Sequence, residues 1–285
     1  MSFKDFVPHH MNIDKDDLMG NGSIGRYIIL PGSNGRAEKI AGFFDNVEVK
    51  KHPRCHNFFK GTIDAGGRRI DVATVASGMG SPSIDIIVNE LYRLGARRII
   101  RVGTSGSLQP SYIRVGSVVI PVASVRDEGT TSNYIPQGVP AVASLDFVEA
   151  SKRACNNLKI EDAFFGVVHS KDSLYAREFK EGPMAEENKR YMELLKASGV
   201  LASEMECSLL FTLGMVFDKQ LKSTVTNYKD YRNLGPGMSF KTGAVLAIIG
   251  DDSAFSDDRK VSEAIEKAVK LGLETVRELA KAELA

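Results

Sequence analysis

Arg98-Ile-Ile-Arg-Val102 runs directly into Gly103-Thr104-Ser105-Gly106. Branched apolar residues followed at once by glycine and hydroxyl residues predict a buried strand that ends in a loop. A helix precedes it. Ser81-Pro82 predict an N-cap and a first-turn proline, Ile84, Ile87, Val88, Leu91 and Leu94 recur at spacings of three and four, and Gly95 ends the run. Farther upstream, Tyr27-Ile-Ile-Leu30 ends in Pro31-Gly32, and a helix is expected over 36–44 with Ile40, Phe43 and Phe44 on one side. Phe58–Ile63 and Ile70–Ala76 flank Gly66-Gly67 and predict an antiparallel hairpin. Downstream, strands are expected at 117–125, 164–169 and 244–249. Helices are expected at about 144–158, 184–198 and 206–216. A long amphipathic C-terminal helix carries Val261, Ile265, Val269, Val276 and Leu279. Alternating strands and helices predict an α/β fold, with a mixed central sheet flanked by helices on both faces. No linker splits residues 1–285, so one domain is expected, with an irregular stretch at about 218–240.

The 285 residues carry 37 Lys+Arg against 36 Asp+Glu, a formal net charge of +1. That balance argues against a nucleic-acid binder and against a protein that coats anionic membranes. No apolar run approaches the ~18 residues of a membrane span. The first 17 residues lack the apolar stretch of a secretory signal. Cys55, Cys155 and Cys207 form no CxxC pair and leave an odd thiol, which fits a reducing cytoplasm.

Four places could carry chemistry. Pro31-Gly32-Ser-Asn-Gly35-Arg36 follows the first strand, where backbone N–H groups and a helix N-terminus favour an anion. Arg36 opposes the helix dipole there, and a phosphate would explain it; an ordinary tight turn with an exposed arginine also fits. Arg101 with Thr104, Ser105 and Gly106 would suit phosphate or ribose oxygens, or Arg101 pairs with a carboxylate. Both turns would meet at the carboxyl edge of the sheet. Ser203-Glu204-Met205-Glu206 precedes an apolar helix; one acid is expected to cap it, and a carboxylate facing a pocket would bind ribose hydroxyls. Gly250-Asp251-Asp252 ends a buried strand and offers either an acid or a solvated turn. The histidines show no metal-ligand spacing, and no serine sits in a Gly-x-Ser-x-Gly elbow. The first turn also lacks the G-x-G-x-x-G of a dinucleotide-binding oxidoreductase.

In this order and spacing the segments resemble the nucleoside phosphorylase family, in particular its uridine phosphorylase branch. They are Leu30-Pro31-Gly32 with Arg36–Ala41, Gly78-Met-Gly80 with Pro82-Ser83, Arg101–Gly106 with Gln109-Pro110, Ser170–Ser173, and Glu204-Met205-Glu206. The resemblance implies a nucleoside phosphorylase-like fold and reversible phosphorolysis of uridine in nucleoside salvage. Gly32, Arg36, Arg101 and Thr104 would hold phosphate, with Arg54 lent by a neighbouring subunit. Thr104, Met205 and Glu206 would hold the ribose, with His10 lent to its 5′-hydroxyl. Ser105, Gly106, Glu178, Lys180 and Glu204 would surround the base. Arg101, Glu206 and Asp252 would be the catalytic group. Inorganic phosphate would be co-substrate with no other cofactor and no metal, and the chain would form a homo-oligomer, dimer to hexamer. Cys55 stands where some members place a glutamate for a monovalent cation.

The base pocket departs from the uridine pattern, which places a glutamine and an arginine where this chain has Tyr175–Lys180. Glu178 and Lys180 fall near those positions, and Arg177 would serve if the loop shifts. Asp251 or Asp252 lies where purine-cleaving members place an acid, so a purine nucleoside phosphorylase is the alternative. A nucleosidase or a non-catalytic nucleoside-binding protein is more distant. Arg101→Ala is expected to weaken phosphate use far more than stability.

Overall fold

The computed structural model describes residues 6–251 and 258–284. The first apolar run forms β1 (Tyr27–Pro31) and enters α1 (Asn34–Ala41) through Ser33, whose Oγ accepts from the Arg36 N–H. Arg36 therefore sits in the first helical turn. Phe43 follows the helix and is exposed, while Ile40 and Phe44 are buried as expected. β2 (Asp45–Lys50), β3 (Phe58–Asp64) and β4 (Arg69–Thr74) form an antiparallel edge. β2 was not expected from the sequence, because nearly all its residues are exposed and it shows no apolar alternation.

α2 (Ser81–Leu94) buries the predicted stripe and ends at Gly95 in a left-handed conformation. Its N-cap is Gly80 at φ 79°, one residue before the serine expected there; Ser81 Oγ donates instead to the Met205 carbonyl. β5 (Arg98–Ser107), β6 (Val118–Asp127), the two-residue β7 (Ala141–Val142), α3 (Leu145–Leu158) and β8 (Ala163–Lys171) follow. Then come α4 (Leu174–Arg177), α5 (Ala185–Ala197), β9 (Ala202–Glu204) and α6 (Cys207–Leu221). The chain closes with α7 (Tyr228–Arg232), β10 (Lys241–Gly250) and α8 (Asp258–Glu283). No helix among the described residues is long and apolar enough to cross a membrane.

The sheet is mixed, and helices cover both faces. Ile28 and Leu30 of β1 pack with residues of α2 and α6, while Tyr27 and Ile29 pack with residues of α1, α3 and α8. This is the α/β architecture the alternation predicts. What the sequence did not reveal is closure. β5 pairs with β10, β10 with β6, β6 with β8, β8 with β9, and β9 again with β5, so these five strands make a ring. β1 joins the outside of the ring through the first half of β5, ending at Pro31 opposite Val102. Beyond that point β5 pairs on the same flank with β9, from Gly106 opposite Ser203. The sheet forks along Gly103–Ser105, and the ends of β1, β5, β8, β9 and β10 are brought together around the fork.

The irregular stretch is shorter than expected, because α6 runs on to Leu221. The remainder is pinned at the far end of the sheet by Arg98, which is fully buried. Its guanidinium donates to the carbonyls of Pro236 (2.9 Å) and Ser239 (2.6 Å) and to Glu283 near the end of α8 (2.8 Å). Arg98→Met would leave the Pro236 and Ser239 carbonyls without their donor and Glu283 with Lys241 as its remaining cation, at 2.8 Å. We expect it to destabilise the fold by about 3 kcal/mol, the cost of breaking a buried charge pair from one side. Denaturant unfolding of the two proteins measures this difference.

Candidate active site

The fork opens into a cavity of about 870 Å³ at the carboxyl ends of the strands. Ligands of open α/β sheets bind at this edge. Gly32 and Arg36 reach it from the β1–α1 turn, and Arg101, Thr104, Ser105 and Gly106 from β5. Glu204, Met205 and Glu206 reach it from β9 and the start of α6, and Glu178 and Lys180 from the segment after α4. Eleven of the expected site residues therefore line one cavity. Asp251 also lines it, whereas Asp252 lies outside the described residues.

Arg101 organises the inner wall. Its guanidinium lies over Gly103, where a Cβ would come within 2.9 Å of Nε. It pairs with Glu206, faces Glu204 Oε2 at 3.5 Å and donates to Ser77 Oγ at 3.3 Å. The carboxylate-paired reading of this arginine is thus the one the structure bears out. Burial alone would depress its pKa, but Glu206 and Glu204 outweigh burial and hold it above the usual guanidinium range. Glu206 also accepts from the Gly80 N–H at 2.7 Å. Burial pushes its carboxyl above the ordinary range; Arg101 opposes this and Glu204 adds to it.

Glu204 takes the capping role. Both its oxygens accept from backbone N–H groups at the start of α6, those of Glu206 and Cys207, at 2.9–3.0 Å, and Ser170 Oγ donates to it as well. Of the two acids, both of which line the cavity, Glu206 is the closer partner of Arg101. Ser105 Oγ is buried and has no protein hydrogen-bond partner among the described residues. Arg36 forms no ion pair among the described residues, and burial and the positive charge of Arg101 together lower its pKa. Two cations facing each other with one left unmatched are complementary to a small anion.

Three expected residues behave differently. Arg54 is exposed and His10 half-buried, and neither lines this cavity. His10 Nδ1 donates to Glu90 Oε1 at 2.8 Å, while the His9 and His10 N–H groups bind the same carboxylate. Arg177 is turned away from the cavity onto Asp127 (2.9 Å) and Asn188 (2.5 Å). Lys171 was missed by sequence reasoning; it is 2% exposed, lines the cavity and pairs with Glu178 at 2.6 Å. Gly106 signals Glu178 rather than Lys171, because a glycine inside a strand marks close approach of another group. A Cβ there would come within 2.5 Å of Glu178 Oε1. Among the described residues, no group of three or more His, Cys, Asp and Glu is placed to hold a metal ion.

The family model of the phosphorylase superfamily matches residues 26–222, which hold most of this site. The chain belongs to the phosphorylase superfamily. It is 35% identical over 258 residues to the uridine phosphorylase of Treponema pallidum, covering 89% of each chain. It is 33% identical over 209 residues to the uridine phosphorylase of Escherichia coli K12, covering 72% of this chain and 78% of that one. A guanosine phosphorylase of Halorubrum lacusprofundi is 26% identical over 271 residues, covering 92% of this chain and 97% of that one.

Cys207 follows Glu206 directly, yet it is no nucleophile. It is fully buried, and burial and Glu204 raise its thiol well above the usual range. Burial likewise pushes the Cys155 thiol up to about 11, whereas Cys55 is exposed. A thiol-reactive disulfide reagent at pH 8 should therefore modify Cys55 rapidly and the other two only on unfolding. Counting released chromophore before and after denaturant, with a Cys55→Ser control, checks this.

Proposed function

We propose that the protein is a nucleoside phosphorylase that cleaves uridine, and other pyrimidine nucleosides of the same class, to free base and ribose 1-phosphate. The observation that carries the reading is the meeting of Arg36 and Arg101 from two strand ends, with Glu206 beside them and Arg36 unmatched. The uridine assignment is supported by relatives of that name at 31–36% identity. In class the enzyme is a pentosyltransferase, a glycosyltransferase working in nucleoside salvage in the cytoplasm.

The chemistry follows from charge. Breaking an N-glycosidic bond builds positive charge on the sugar. A phosphate oxygen attacks the anomeric carbon, the bonding pair leaves with the ring nitrogen of the base, and the base takes up a proton. Gly32, Arg36, Arg101 and Thr104 would hold the phosphate under the ribose. Glu206 would accept from the sugar hydroxyls, with Met205 against the ring. Preorganised charge of this kind is usually the largest catalytic contribution. Phosphate is the co-substrate, and the reading asks for no other cofactor and no metal.

The proposed assembly is a homo-oligomer in which a neighbouring chain lends His10 and Arg54. Glu90 supports this for His10, because a carboxylate bound to Nδ1 fixes the proton there and leaves Nε2 as an acceptor. An acceptor nitrogen is what a 5′-hydroxyl needs.

Uridine should release base only when inorganic phosphate is present, with ribose 1-phosphate as co-product. Equal release in phosphate-free buffer would replace phosphorolysis by hydrolysis. Arg36→Ala should raise the KM for phosphate about tenfold to a hundredfold, the worth of one charge-assisted contact. The melting temperature should change little, because this guanidinium forms no direct ion pair among the described residues, and its longer-range attraction to Glu206 is smaller than the burial and the repulsion from Arg101 that oppose it. Arg101→Ala is the poorer probe. It would strand Glu204 and Glu206, so its stability loss is expected to match its loss of phosphate binding.

A further inference from the structure

Lys171 ends β8, and its Nζ makes two short contacts, with Glu178 Oε2 at 2.6 Å and Ser203 Oγ at 2.8 Å. A third, to the Glu204 carbonyl, is 3.5 Å, beyond the ~2.7–3.2 Å of an ordinary N–H···O bond. An ammonium carries three donors, so one is available to a ligand oxygen. Glu178 commits Oε2 to Lys171, and Oε1 lies over Gly106 on the cavity side. One donor and one acceptor thus stand side by side at this end of the cavity.

A buried relay holds the ammonium in place. Ser203 Oγ accepts from Lys171, so its own proton goes to His169 Nδ1 at 3.0 Å. His169 Nε2 then donates to Asp127 Oδ2 at 2.8 Å, which fixes the ring as the Nε2–H tautomer. Arg177 anchors Asp127 through Nε and Nη2, both at 2.9 Å, and lies over the ring of Tyr191. His169 is fully buried and Ser203 is 1% exposed. Asp127, His169 and Ser203 have the order of a nucleophile triad, but Lys171 occupies the serine lone pair, so here they position a cation.

We propose that Lys171 and Glu178 read the base, as a donor–acceptor pair for a ring carbonyl beside a ring N–H, with Ser203, His169 and Asp127 as positioning residues. The inference rests on the nucleoside reading above and assigns its base-recognition cation. Lys180 has an exposed side chain at the rim, on a left-handed backbone of φ 59°, and Arg177 is committed to Asp127. A carbonyl beside an N–H occurs in uracil, thymine and the 6-oxopurines. An amino group in place of the carbonyl would turn a donor toward the ammonium, so cytosine and adenine fit poorly.

The test compares wild type with Lys171→Met, Lys180→Met and Glu178→Leu. It measures steady-state constants for uridine, inosine and cytidine at saturating phosphate, and calorimetric titration with free uracil and hypoxanthine. Uridine and inosine distinguish the two ring sizes. Lys171→Met should raise the KM for the preferred oxo-nucleoside about tenfold or more, as expected when a buried polar group loses its partner. It should leave the KM for phosphate unchanged and narrow the preference over cytidine. Glu178→Leu removes a side chain 22% exposed, so it probes the pair even where Lys171→Met does not fold. It should act in the same direction. Unchanged nucleoside KM and unchanged selectivity in both variants, or a larger loss of selectivity in Lys180→Met, would overturn the proposal. If wild type turns over no nucleoside, the functional reading falls on its own. Free-base binding then decides: binding weakened about tenfold by Glu178→Leu upholds the pair, and binding unchanged rejects it.

Discussion

The buried pairing of Arg101 with Glu206 is the interaction on which the site depends. It joins the middle of β5 to the start of α6, and Glu204 completes it at 3.5 Å. A buried guanidinium between two carboxylates adds little net stability, since desolvation offsets most of the Coulombic attraction. Its consequence is positional. Glu204 is already spent on the N–H groups of α6, so the helix, the β9 strand end and the arginine are fixed relative to one another. Glu206 then has nowhere to turn except between Arg101, the Gly80 N–H and the cavity.

The fork in the sheet makes that pairing possible. Were β5 flanked by β1 along its whole length, Gly103–Ser105 would face another strand. Because β1 ends opposite Val102 and pairing with β9 starts only at Gly106, this span borders a cavity on that flank instead. Glycines let polar groups lie against the span. Gly103 admits the Arg101 guanidinium and Gly106 the Glu178 carboxylate, each closer than a Cβ would allow. Activity in this reading comes from the geometry of one long strand that changes neighbours.

Much of this was legible in the sequence, for physical reasons that also explain what was not. β1, β5 and β10 are buried apolar runs bounded by glycine or proline, and those signals are local. β2 carries no apolar face, β9 is three residues long, and ring closure is a property of pairing between distant strands. At the site, turns that gather cations at strand ends can be read from glycine and arginine spacing, and the segment from Arg101 to Gly106 shows them. The division of labour between Glu204 and Glu206 cannot be read that way. Two acids one residue apart differ only in which faces the helix end. Lys171 was hidden for a similar reason: a lysine at a strand end reads as solvated until the strand beside it supplies Ser203.

Net charge illustrates the limit of composition. A total of +1 shows no basic excess of the kind a polyanion calls for, and it says nothing of a small anion. Within the cavity Arg101 and Lys171 each face a carboxylate, while Arg36 forms no ion pair among the described residues. An anion entering beside Arg36 meets one unmatched charge and a second that it must share with Glu206. Sharing is feasible, because the Arg101 guanidinium carries five donors, its Nε has no hydrogen-bond partner, and a carboxylate retains lone pairs after two contacts. In the proposed reading a phosphate placed there would compete with Glu206 for the Arg101 guanidinium. The two subsites would then share one guanidinium, so an anion at the first would change how much of Glu206 is left for the second.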